Sequence, residues 1–470
     1  VIIFVACNLT VGAQQLPIVY NQFFMNPYVY NPAYAGVEGH AVVFATYKKQ
    51  WLGINGAPSI YNANFHIPLK GGLAFGASAY SRQAGPYNMS SGKVSAGYLI
   101  SIDREHFFRF GMSLGAGNNT LNFNEVEPNP STHTVYKGLE MFMNFQPDTI
   151  IALGGGSAMD AAKAIWMFFE HPETSFFGAK QKFLDIRKRT YKITKPKNAK
   201  FICIPTTSGT GSEVTPFAVI TDSETHVKYP LADYALTPDI AIVDPQFVLS
   251  VPKDVAADTG MDVLTHAIES YVSVMASDYT RGLSLQAIKL TFDYLKSSVQ
   301  ENDKHSREKM HNASTMAGMA FANAFLGISH SIAHKIGGEY GIPHGRTNAI
   351  LLPHVIRYNA KDPQKHTLFP KYDFFRADTD YADIAKFLGL KGNTTEELVD
   401  ALANAVYDLG CSVGIDMNLK SQGVTEELLH STIDRMAELA FEDQCTTANP
   451  KEPLISELKG IIERAYDYER

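Results

Sequence analysis

The chain of 470 residues is poor in cysteine: it has only Cys7, Cys203, Cys411 and Cys445, and no two of them form a Cys-x-x-Cys pair. This scarcity argues against a disulfide scaffold and against a thiolate metal site. A transition-metal site would therefore have to use histidine and carboxylate side chains. An excess of basic residues is also lacking, since the formal net charge is −7. This balance makes non-specific nucleic-acid binding a poor candidate function.

Long hydrophobic runs are missing too, because no stretch reaches the ~18–20 apolar residues that a spanning helix needs. The N-terminus carries a shorter run, Val1–Cys7, followed by the small residues of Val11-Gly-Ala-Gln14. That order is typical of the apolar core and cleavage site of a secretory signal. We predict a signal-peptide remnant over residues 1–15, and a truncated or buried apolar strand is the alternative.

Residues 16–124 are rich in Gly, Tyr, Phe, Asn and Ser, and they show little helical periodicity. Large and small residues alternate along 72–80, 93–102 and 108–116. A period of two predicts strands, and the intervening Gly, Pro and Asn predict turns. The segment is therefore predicted to form an antiparallel sheet or a barrel, including a barrel of the outer-membrane kind.

The same segment resembles a known family through two motifs, Gln22-Phe-Phe-Met-Asn-Pro-Tyr-Val-Tyr-Asn-Pro-Ala-Tyr-Ala-Gly36 and Gln50-Trp-Leu-Gly-Ile-Asn-Gly-Ala-Pro58. Both are similar to the opening of the PorP/SprF family. Membership would imply an outer-membrane β-barrel linked to type IX secretion. The resemblance therefore makes a membrane the expected partner of residues 16–124 and the outer membrane an alternative location.

The pattern changes near residue 125. Three apolar runs, 148–153, 200–205 and 239–244, alternate with helical stretches such as 159–169, which predicts a parallel sheet. From about Pro252 onward the period is 3.6, with helices predicted as follows: 256–275, 280–298, 306–324, 329–338 and a helical tail after Tyr381. We expect an α/β domain over 125–250 and an all-helical domain over 251–470.

Two glycine- and hydroxyl-rich loops follow predicted strands in the α/β region. Gly154-Gly-Gly-Ser157 lies between a strand and a helix, and Thr206–Ser212 follows the next strand. Glycine lets the backbone approach a phosphate, and a helix N-terminus offers free N–H groups. One such loop is often only a turn, but two at the strand ends of one sheet favour a nucleotide crevice.

The helical region carries a recurrent spacing of metal-ligand residues. Asp262 and His266 are four residues apart, His330 and His334 repeat the spacing, and His344 follows. Residues four apart share one face of a helix. A single pair of this kind is more often a solvent-exposed feature, but here the pairs lie in an apolar region where buried polar groups need partners. One carboxylate with imidazoles suits Fe(II) or Zn(II) better than Mg(II) or Ca(II).

Several motifs together resemble the iron-containing alcohol dehydrogenases over residues 125–470, with their dehydroquinate-synthase-like architecture. The motifs are Gly154–Lys163, Pro205–Thr215, Lys228–Asp233, Asn323–His334 and Ile342–Gly345. Asp443-Gln-Cys-Thr-Thr-Ala-Asn-Pro450 narrows the resemblance to the alcohol dehydrogenase half of the bifunctional aldehyde-alcohol dehydrogenases. That resemblance implies an enzyme that interconverts short primary alcohols and aldehydes by hydride transfer with NAD.

The resemblance also implies roles for individual residues. The implied metal ligands, for Fe(II) or alternatively Zn(II), are Asp262, His266, His330 and His344. His334 is the implied catalytic proton relay beside the nicotinamide. The implied cofactor contacts are Gly155, Gly156, Ser157, Asp160, Thr206, Thr207, Thr210 and Lys228. The implied partner is a small alcohol or aldehyde, and a cytoplasmic homo-oligomer is expected.

The N-terminus departs from the family, whose members carry a strand, a helix and a second strand before the region of Pro128-Asn-Pro130. The barrel-like segment replaces this unit, so the NAD-binding domain is expected to be incomplete on its adenosine side. Two alternatives to the dehydrogenase function remain: an outer-membrane protein associated with type IX secretion, and an inactive accidental fusion of the two parts.

Overall fold

The computed structural model describes residues 2–6, 25–101, 107–174, 176, 198–224, 228–363, 372 and 374–468. Most of its strands join one mixed sheet in the order β11-β8-β7-β1-β6-β5-β4-β3-β2, and β9 pairs with β10 alone. The strands are β1 (Ile2–Ala6), β2 (Val42–Lys49), β3 (Ser59–Pro68), β4 (Leu73–Ala84), β5 (Tyr87–Ser101), β6 (Phe107–Phe123), β7 (Thr149–Gly154), β8 (Lys200–Pro205), β9 (Phe217–Thr221), β10 (Lys228–Ala232) and β11 (Ile240–Ala241).

The helices are α1 (Thr132–Phe145), α2 (Gly156–Glu170), α3 (Lys253–Val272), α4 (Asp278–Gln300), α5 (Lys304–Ala324), α6 (Ile328–Tyr340), α7 (His344–Asn359), α8 (Ala377–Phe387), α9 (Thr395–Ser412), α10 (Glu426–Phe441) and α11 (Ile455–Arg464). Helices α3, α4, α5, α7, α8 and α9 pack around one apolar core, in which Leu264, Ile288 and Leu352 are fully buried. Helices α6, α10 and α11 pack with another face of α7 around a second core, in which Ile332 and Ile461 are fully buried. The expected all-helical region after residue 251 is confirmed.

The parallel part of the sheet is built from the three predicted apolar runs. β7 pairs in parallel with β8, and β8 pairs in parallel with the short β11. Ile150 and Phe201 are fully buried under α2, where Trp166 stacks on Phe201 with ring centroids 6.1 Å apart. The expected α/β region is confirmed, and both glycine-rich loops leave the sheet at the ends of adjacent parallel strands.

The N-terminal strand β1 lies between β6 and β7 and is antiparallel to both. On this side β7 therefore has an antiparallel neighbour, and no right-handed βαβ unit adjoins it among the described residues. Residues 2–6 thus form an apolar strand, which was the alternative to a signal-peptide remnant. Residues 1 and 7–15 of that prediction lie outside the described residues, and export stays a prediction.

Strands β2 to β6 form an antiparallel meander, as the alternation predicted. A closed barrel, the other expectation, is not seen among the described residues, because β2 pairs with β3 alone and leaves an open edge. In the parts that the structure describes, the sheet stays open. The predicted barrel closure is therefore not obtained for residues 25–124.

The meander turns its apolar face outward. Val94 pairs with Leu114 and Tyr98 pairs with Phe110 on this face, and Leu114 is 79 % exposed. The opposite face is polar, and residues 25–36 cover it: the buried Tyr28 hydroxyl donates to Oγ of Ser95 at 3.1 Å. In a soluble protein, a sheet that is covered on one side packs its apolar face against the core and exposes its polar face. In this meander the apolar face is exposed and the polar face is covered.

Among the described helices, none alone combines the length and the apolar character that crossing a membrane requires. Two consecutive helices, Lys304–Ala324 and Ile328–Tyr340, are long and apolar enough when taken together, although the chain bends by 109° between them.

Candidate metal and nucleotide site

Helix α3 provides the first two predicted ligands. Asp262 and His266 lie one turn apart on it, and both are buried, with 3 % and 5 % exposure. Nε2 of His266 is 3.9 Å from Oδ2 of Asp262. The i, i+4 spacing therefore places both side chains at one point of the helix surface, as the sequence predicted.

The other two predicted ligands come from α6 and α7. Nε2 of His330 and Nε2 of His344 each lie 3.6 Å from Oδ1 of Asp262. One ligand atom from each of Asp262, His330 and His344 lies within 4.8 Å of the other two. The ring of His266 stacks on that of His330 with centroids 4.6 Å apart. The structure thus brings together ligand atoms of Asp262, His330 and His344, while His266 adjoins this group without belonging to it, and its role as a fourth ligand stays a prediction.

A carboxylate that the sequence analysis missed holds His330 in place. Nδ1 of His330 lies 2.6 Å from Oε2 of Glu269, whose Oε1 accepts a hydrogen bond from the backbone N–H of Ser329 at 2.7 Å. Nε2 of His330 is fully buried and has no hydrogen-bond partner among the described residues. A buried ring nitrogen without a partner is costly, and a metal ion at this point would satisfy it.

The pKa values of the cluster follow from burial and from its mixed charges. Burial raises the pKa of the Asp262 carboxyl, but His266, His344 and His330 outweigh burial and hold that pKa well below its usual range. Burial lowers the pKa of His266 to about 4 and that of His344 well below its usual value. For His330, burial is outweighed by Glu269 and Asp262, which raise its pKa to about 9.

Two further residues shape the position of His344. Nδ2 of Asn348, one turn along α7, donates to Oδ1 of Asp262 at 2.9 Å and lies 3.2 Å from Nε2 of His344. Gly345 packs so tightly against α3 that an added Cβ would lie 2.0 Å from the carbonyl oxygen of Asp258. Glycine at this position therefore lets the start of α7 approach α3.

His334 faces a second buried carboxylate. Its Nδ1 lies 3.1 Å from Oδ2 of Asp443, and Nζ of Lys335 lies 2.8 Å from the same oxygen. The ring of His334 stacks on that of His344 with centroids 5.3 Å apart. Asp443 belongs to a motif that the sequence analysis quoted, but no pattern in the sequence assigned it to His334.

The two predicted nucleotide loops pack on each other. The backbone N–H of Thr206 donates to the carbonyl of Gly154 at 2.9 Å. A Cβ added at Gly155 would lie 3.3 Å from the side chain of Thr207, and one added at Gly156 would lie 2.6 Å from Cγ2 of Thr210. The glycines thus permit close contact between the loops at the N-terminus of α2, the part of a helix that favours anions.

The remaining predicted cofactor residues differ in their surroundings. Oγ of Ser157 accepts a hydrogen bond from the backbone N–H of Asn129 at 3.3 Å. Both oxygens of the Asp160 carboxylate are engaged internally, by Oγ of Ser212 at 2.7 Å and by the N–H of Val219 at 2.9 Å. Asp160 is therefore a half-buried residue that links α2 to the neighbouring segments, and its direct contact with a cofactor stays a prediction.

Lys228 is the first residue of β10 and is half-buried. Burial lowers the pKa of its ammonium group. Its contact with a cofactor stays a prediction.

The loop Thr206–Ser212 also reaches the helical region. Oγ of Ser208 lies 3.1 Å from Nδ1 of the buried His311 on α5. Gly209 abuts α3, since an added Cβ there would lie 2.6 Å from Cβ of Thr259. The loop thus contacts the helix that carries Asp262 and His266, which the sequence alone did not indicate.

Family models match three parts of the chain. Residues 256–466 match the model described as Fe-containing alcohol dehydrogenase family, C-terminal, and residues 100–245 match Iron-containing alcohol dehydrogenase. Residues 11–153 match Type IX secretion system membrane protein PorP/SprF. The iron-containing alcohol dehydrogenase match and the PorP/SprF match overlap over residues 100–153, so β6 falls within both.

Individual proteins give the same result for the longer part. The chain is 61 % identical over 345 residues to an aldehyde-alcohol dehydrogenase of Streptococcus pneumoniae, which covers 73 % of this chain and 39 % of that protein. It is 47 % identical over 342 residues to an NADPH-dependent butanol dehydrogenase of Clostridium saccharobutylicum, covering 73 % of this chain and 82 % of the relative. The chain therefore spans only about 39 % of the length of the bifunctional relative.

A solved structure shares the fold. Sulfoacetaldehyde reductase from Bifidobacterium kashiwanohense in complex with NAD+ is 30 % identical, with a TM-score of 0.61, and the alignment covers 74 % of this chain and 84 % of that one. The butanol dehydrogenase is matched over 82 % of its own length. Together with the two family models, which cover residues 100–245 and 256–466, this similarity decides the family. The chain belongs to the iron-containing alcohol dehydrogenase family.

Proposed function

We propose that this chain interconverts short primary alcohols and aldehydes by hydride transfer with NAD(H), using a divalent metal held by Asp262, His266, His330 and His344. The observation that carries the proposal is the buried Nε2 of His330. It has no hydrogen-bond partner among the described residues, and it faces the Asp262 carboxylate together with His344. A metal ion would satisfy these groups together.

The chemistry of the ligand set supports iron or zinc. Three imidazoles and one carboxylate suit Fe(II) or Zn(II), whereas Mg(II) and Ca(II) prefer oxygen ligands. Glu269 on Nδ1 of His330 gives the carboxylate–histidine arrangement that fixes the tautomer of a metal-binding ring. The residues present therefore fit the group, with Fe(II) as the proposed ion and Zn(II) as the alternative.

When bound, the metal supplies Lewis-acid polarisation of the substrate oxygen and the nicotinamide supplies or accepts the hydride. Residues of the chain itself position the side chain that exchanges the substrate proton. Nδ1 of His334 donates to Asp443, so the opposite ring nitrogen, Nε2, is left to exchange the hydroxyl proton of the substrate. Burial raises the pKa of the Asp443 carboxyl, but His334 and Lys335 outweigh burial and hold that pKa well below its usual range, so the carboxylate stays charged beside the ring of His334.

The cofactor is proposed to place its pyrophosphate at the N-terminus of α2, between Gly155, Gly156 and Thr207. Support comes from the close packing of these two loops at adjacent parallel strands, where open α/β sheets bind their ligands. The adenosine side differs, because β1 adjoins β7 in antiparallel orientation. NAD is the proposed cofactor, and the NADPH-dependent relative makes NADP the alternative.

A direct test measures NADH oxidation with acetaldehyde by the intact, iron-loaded chain. Asp262→Asn should lower turnover by more than about a hundredfold, because groups outside the ligand set already contribute ~10- to 100-fold. Asp254→Asn is the matched control, since Asp254 lies on the same helix but is exposed. Equal activity of the Asp262 variant and the wild type would overturn the proposal.

A second function is proposed for the N-terminal meander: docking on a lipid bilayer. Its exposed face carries Val94, Tyr98, Phe110 and Leu114, and residues 11–153 match a membrane protein family. An apolar outer face with a polar inner face is the pattern of membrane β-sheets. This proposal would place the chain at a membrane, whereas the dehydrogenase proposal implies the cytoplasm.

Vesicle flotation of the full chain separates these locations. Val94→Asp combined with Leu114→Asp places two charges at one paired position of the outer face, and Leu428→Asp on α10 is the control for an exposed apolar residue elsewhere. Loss of flotation in the first variant alone supports docking through the meander. Failure of the wild-type chain to float with vesicles would exclude it.

A further inference from the structure

A second cluster of metal-ligating groups lies beside the first. His334 on α6 faces the turn Asp443–Cys445, in which Oδ1 of Asp443 accepts a hydrogen bond from the backbone N–H of Cys445 at 3.0 Å. One ligand atom from each of His334, Asp443 and Cys445 lies within 4.8 Å of the other two. The cluster contains sulfur, which the group of Asp262, His266, His330 and His344 lacks.

We propose that His334, Asp443 and Cys445 form a second site, which takes a soft divalent ion such as Cd(II) and inhibits the enzyme when it is filled. A thiolate, an imidazole and a carboxylate are the ligands that zinc uses in proteins, and the thiolate favours soft over hard cations. Ligands of a tetrahedral ion stand about 3.5 Å apart. The ligand atoms, which lie within 4.8 Å of one another, therefore need to approach by at most about 1.3 Å around the ion.

Binding at this site competes with two interactions of Asp443. Its Oδ2 is 2.8 Å from Nζ of Lys335 and 3.1 Å from Nδ1 of His334. The incoming ion takes over the charge-neutralising role of Lys335 and coordinates Nδ1 of His334, and the proton that Nδ1 shared with Asp443 moves to Nε2 of the same ring. The thiol of Cys445 releases its proton to solvent as it binds.

Inhibition follows from the position of His334. Its ring stacks on His344 of the first cluster, 5.3 Å between centroids, and it is the residue proposed to exchange the substrate proton. An imidazole that coordinates an ion through Nδ1 carries its proton on Nε2, so Nε2 has no lone pair left to accept the proton of the substrate. Occupation of the second site and proton transfer by His334 are therefore mutually exclusive. This inhibitory consequence rests on the proposed function, whereas binding of the ion does not.

The experiment titrates Cd(II) into the full chain, reduced and with its first centre loaded with Fe(II), and follows the absorbance of cadmium–thiolate bonds. Cadmium exchanged into the first centre gives no such signal, because that centre has no sulfur. Cys445→Ser should abolish the tight phase of the signal. Cys411→Ser is the matched control, since Cys411 is an exposed free thiol on α9, and it should leave the tight phase unchanged.

Two further variants test the other members of the site. His334→Asn should weaken Cd(II) binding by at least about tenfold through loss of a ligand. Lys335→Met should tighten it, because the competing ammonium group is removed, and a site made only of a reactive thiol would not respond. Retained helical circular dichroism shows that each variant is folded.

The outcomes separate the two proposals. A tight cadmium–thiolate signal that disappears in Cys445→Ser and weakens in His334→Asn supports the second site, even if the chain has no dehydrogenase activity. A signal that persists in Cys445→Ser, or that disappears in Cys411→Ser, overturns the site. In the active enzyme, Cys445→Ser should require at least about tenfold more Cd(II) for half-inhibition, and equal sensitivity would overturn the inhibitory role.

Discussion

Glu269 holds His330 through a contact of 2.6 Å between its Oε2 and Nδ1 of the ring, across 61 residues of sequence. Glu269 lies on α3, the helix that also carries Asp262 and His266. One helix therefore supplies two proposed ligands and the group that orients a third. The orientation of His330 depends on this contact with Glu269 and on the backbone N–H of Ser329, which occupies the other oxygen of Glu269.

Glu269→Gln should weaken metal binding by about 10- to 100-fold, since a second group that orients a ligand typically contributes this much. Competition with a coloured chelator measures the affinity. Glu301→Gln is the control, because Glu301 is exposed at the end of α4. Unchanged affinity in the Glu269 variant would show that Glu269 does not orient a ligand.

His334→Ala should lower turnover by about 10²- to 10⁴-fold, the usual contribution of a proton-transferring side chain, while metal content stays at the wild-type level. Asp443→Asn should lower turnover as well, since it removes the charge that faces Nδ1 of His334. Metal analysis of the purified variants accompanies the kinetics. A His334 variant that has lost its metal would identify His334 as a ligand and one of the four proposed ligands as misassigned.

Gly156→Ala should weaken NADH binding by at least about tenfold, because the added Cβ would lie 2.6 Å from Cγ2 of Thr210 and would push the two loops apart. The glycine-rich loop at a helix N-terminus is where a pyrophosphate binds. Fluorescence titration with NADH measures the effect. Gly282→Ala on α4 is the control, since nothing lies within 4 Å of the added atom. If the two variants bind NADH with equal affinity, the pyrophosphate does not bind at the loop that contains Gly156.

The N-terminal segment should limit the affinity for NAD. β1 stands antiparallel to β7 where a βαβ unit would supply a parallel neighbour, and the adenosine half of a dinucleotide site needs strands on both sides of the switch point. A variant in which a family-typical βαβ unit replaces residues 1–124 should bind NADH far more tightly than the intact chain. Equal affinities would show that the N-terminal segment has taken over the missing role and would argue against an accidental fusion.

Much of the helical region could be predicted from sequence because its signals are local. The 3.6-residue period fixed the helices around Asp262 and His330, and the i, i+4 spacing placed two pairs of side chains on common faces. The convergence of these pairs with His344 came from the family resemblance, since it depends on how α3, α6 and α7 pack.

The supporting groups could not be predicted because they act across long separations. Asn348 reaches Asp262 over 86 residues, and Asp443 reaches His334 over 109. Glu269 had a weak signal, since it lies seven residues after Asp262 on the same helix face, but a glutamate in that position is common without such a role. The strand β1 was not the favoured prediction, because a short apolar run occurs both in signal peptides and in buried strands, and the small residues after it favoured a signal peptide.

Removal of the metal, followed by return of single metals to the intact chain, tests whether the four proposed ligands hold a catalytic metal. The cluster of Asp262, His266, His330 and His344 predicts that the chelated protein loses NADH-dependent reduction of acetaldehyde. Fe(II) or Zn(II) should restore the activity and Mg(II) should not, since imidazole ligands disfavour hard cations. Restoration by Mg(II) alone, or full activity of the chelated protein, would contradict the account.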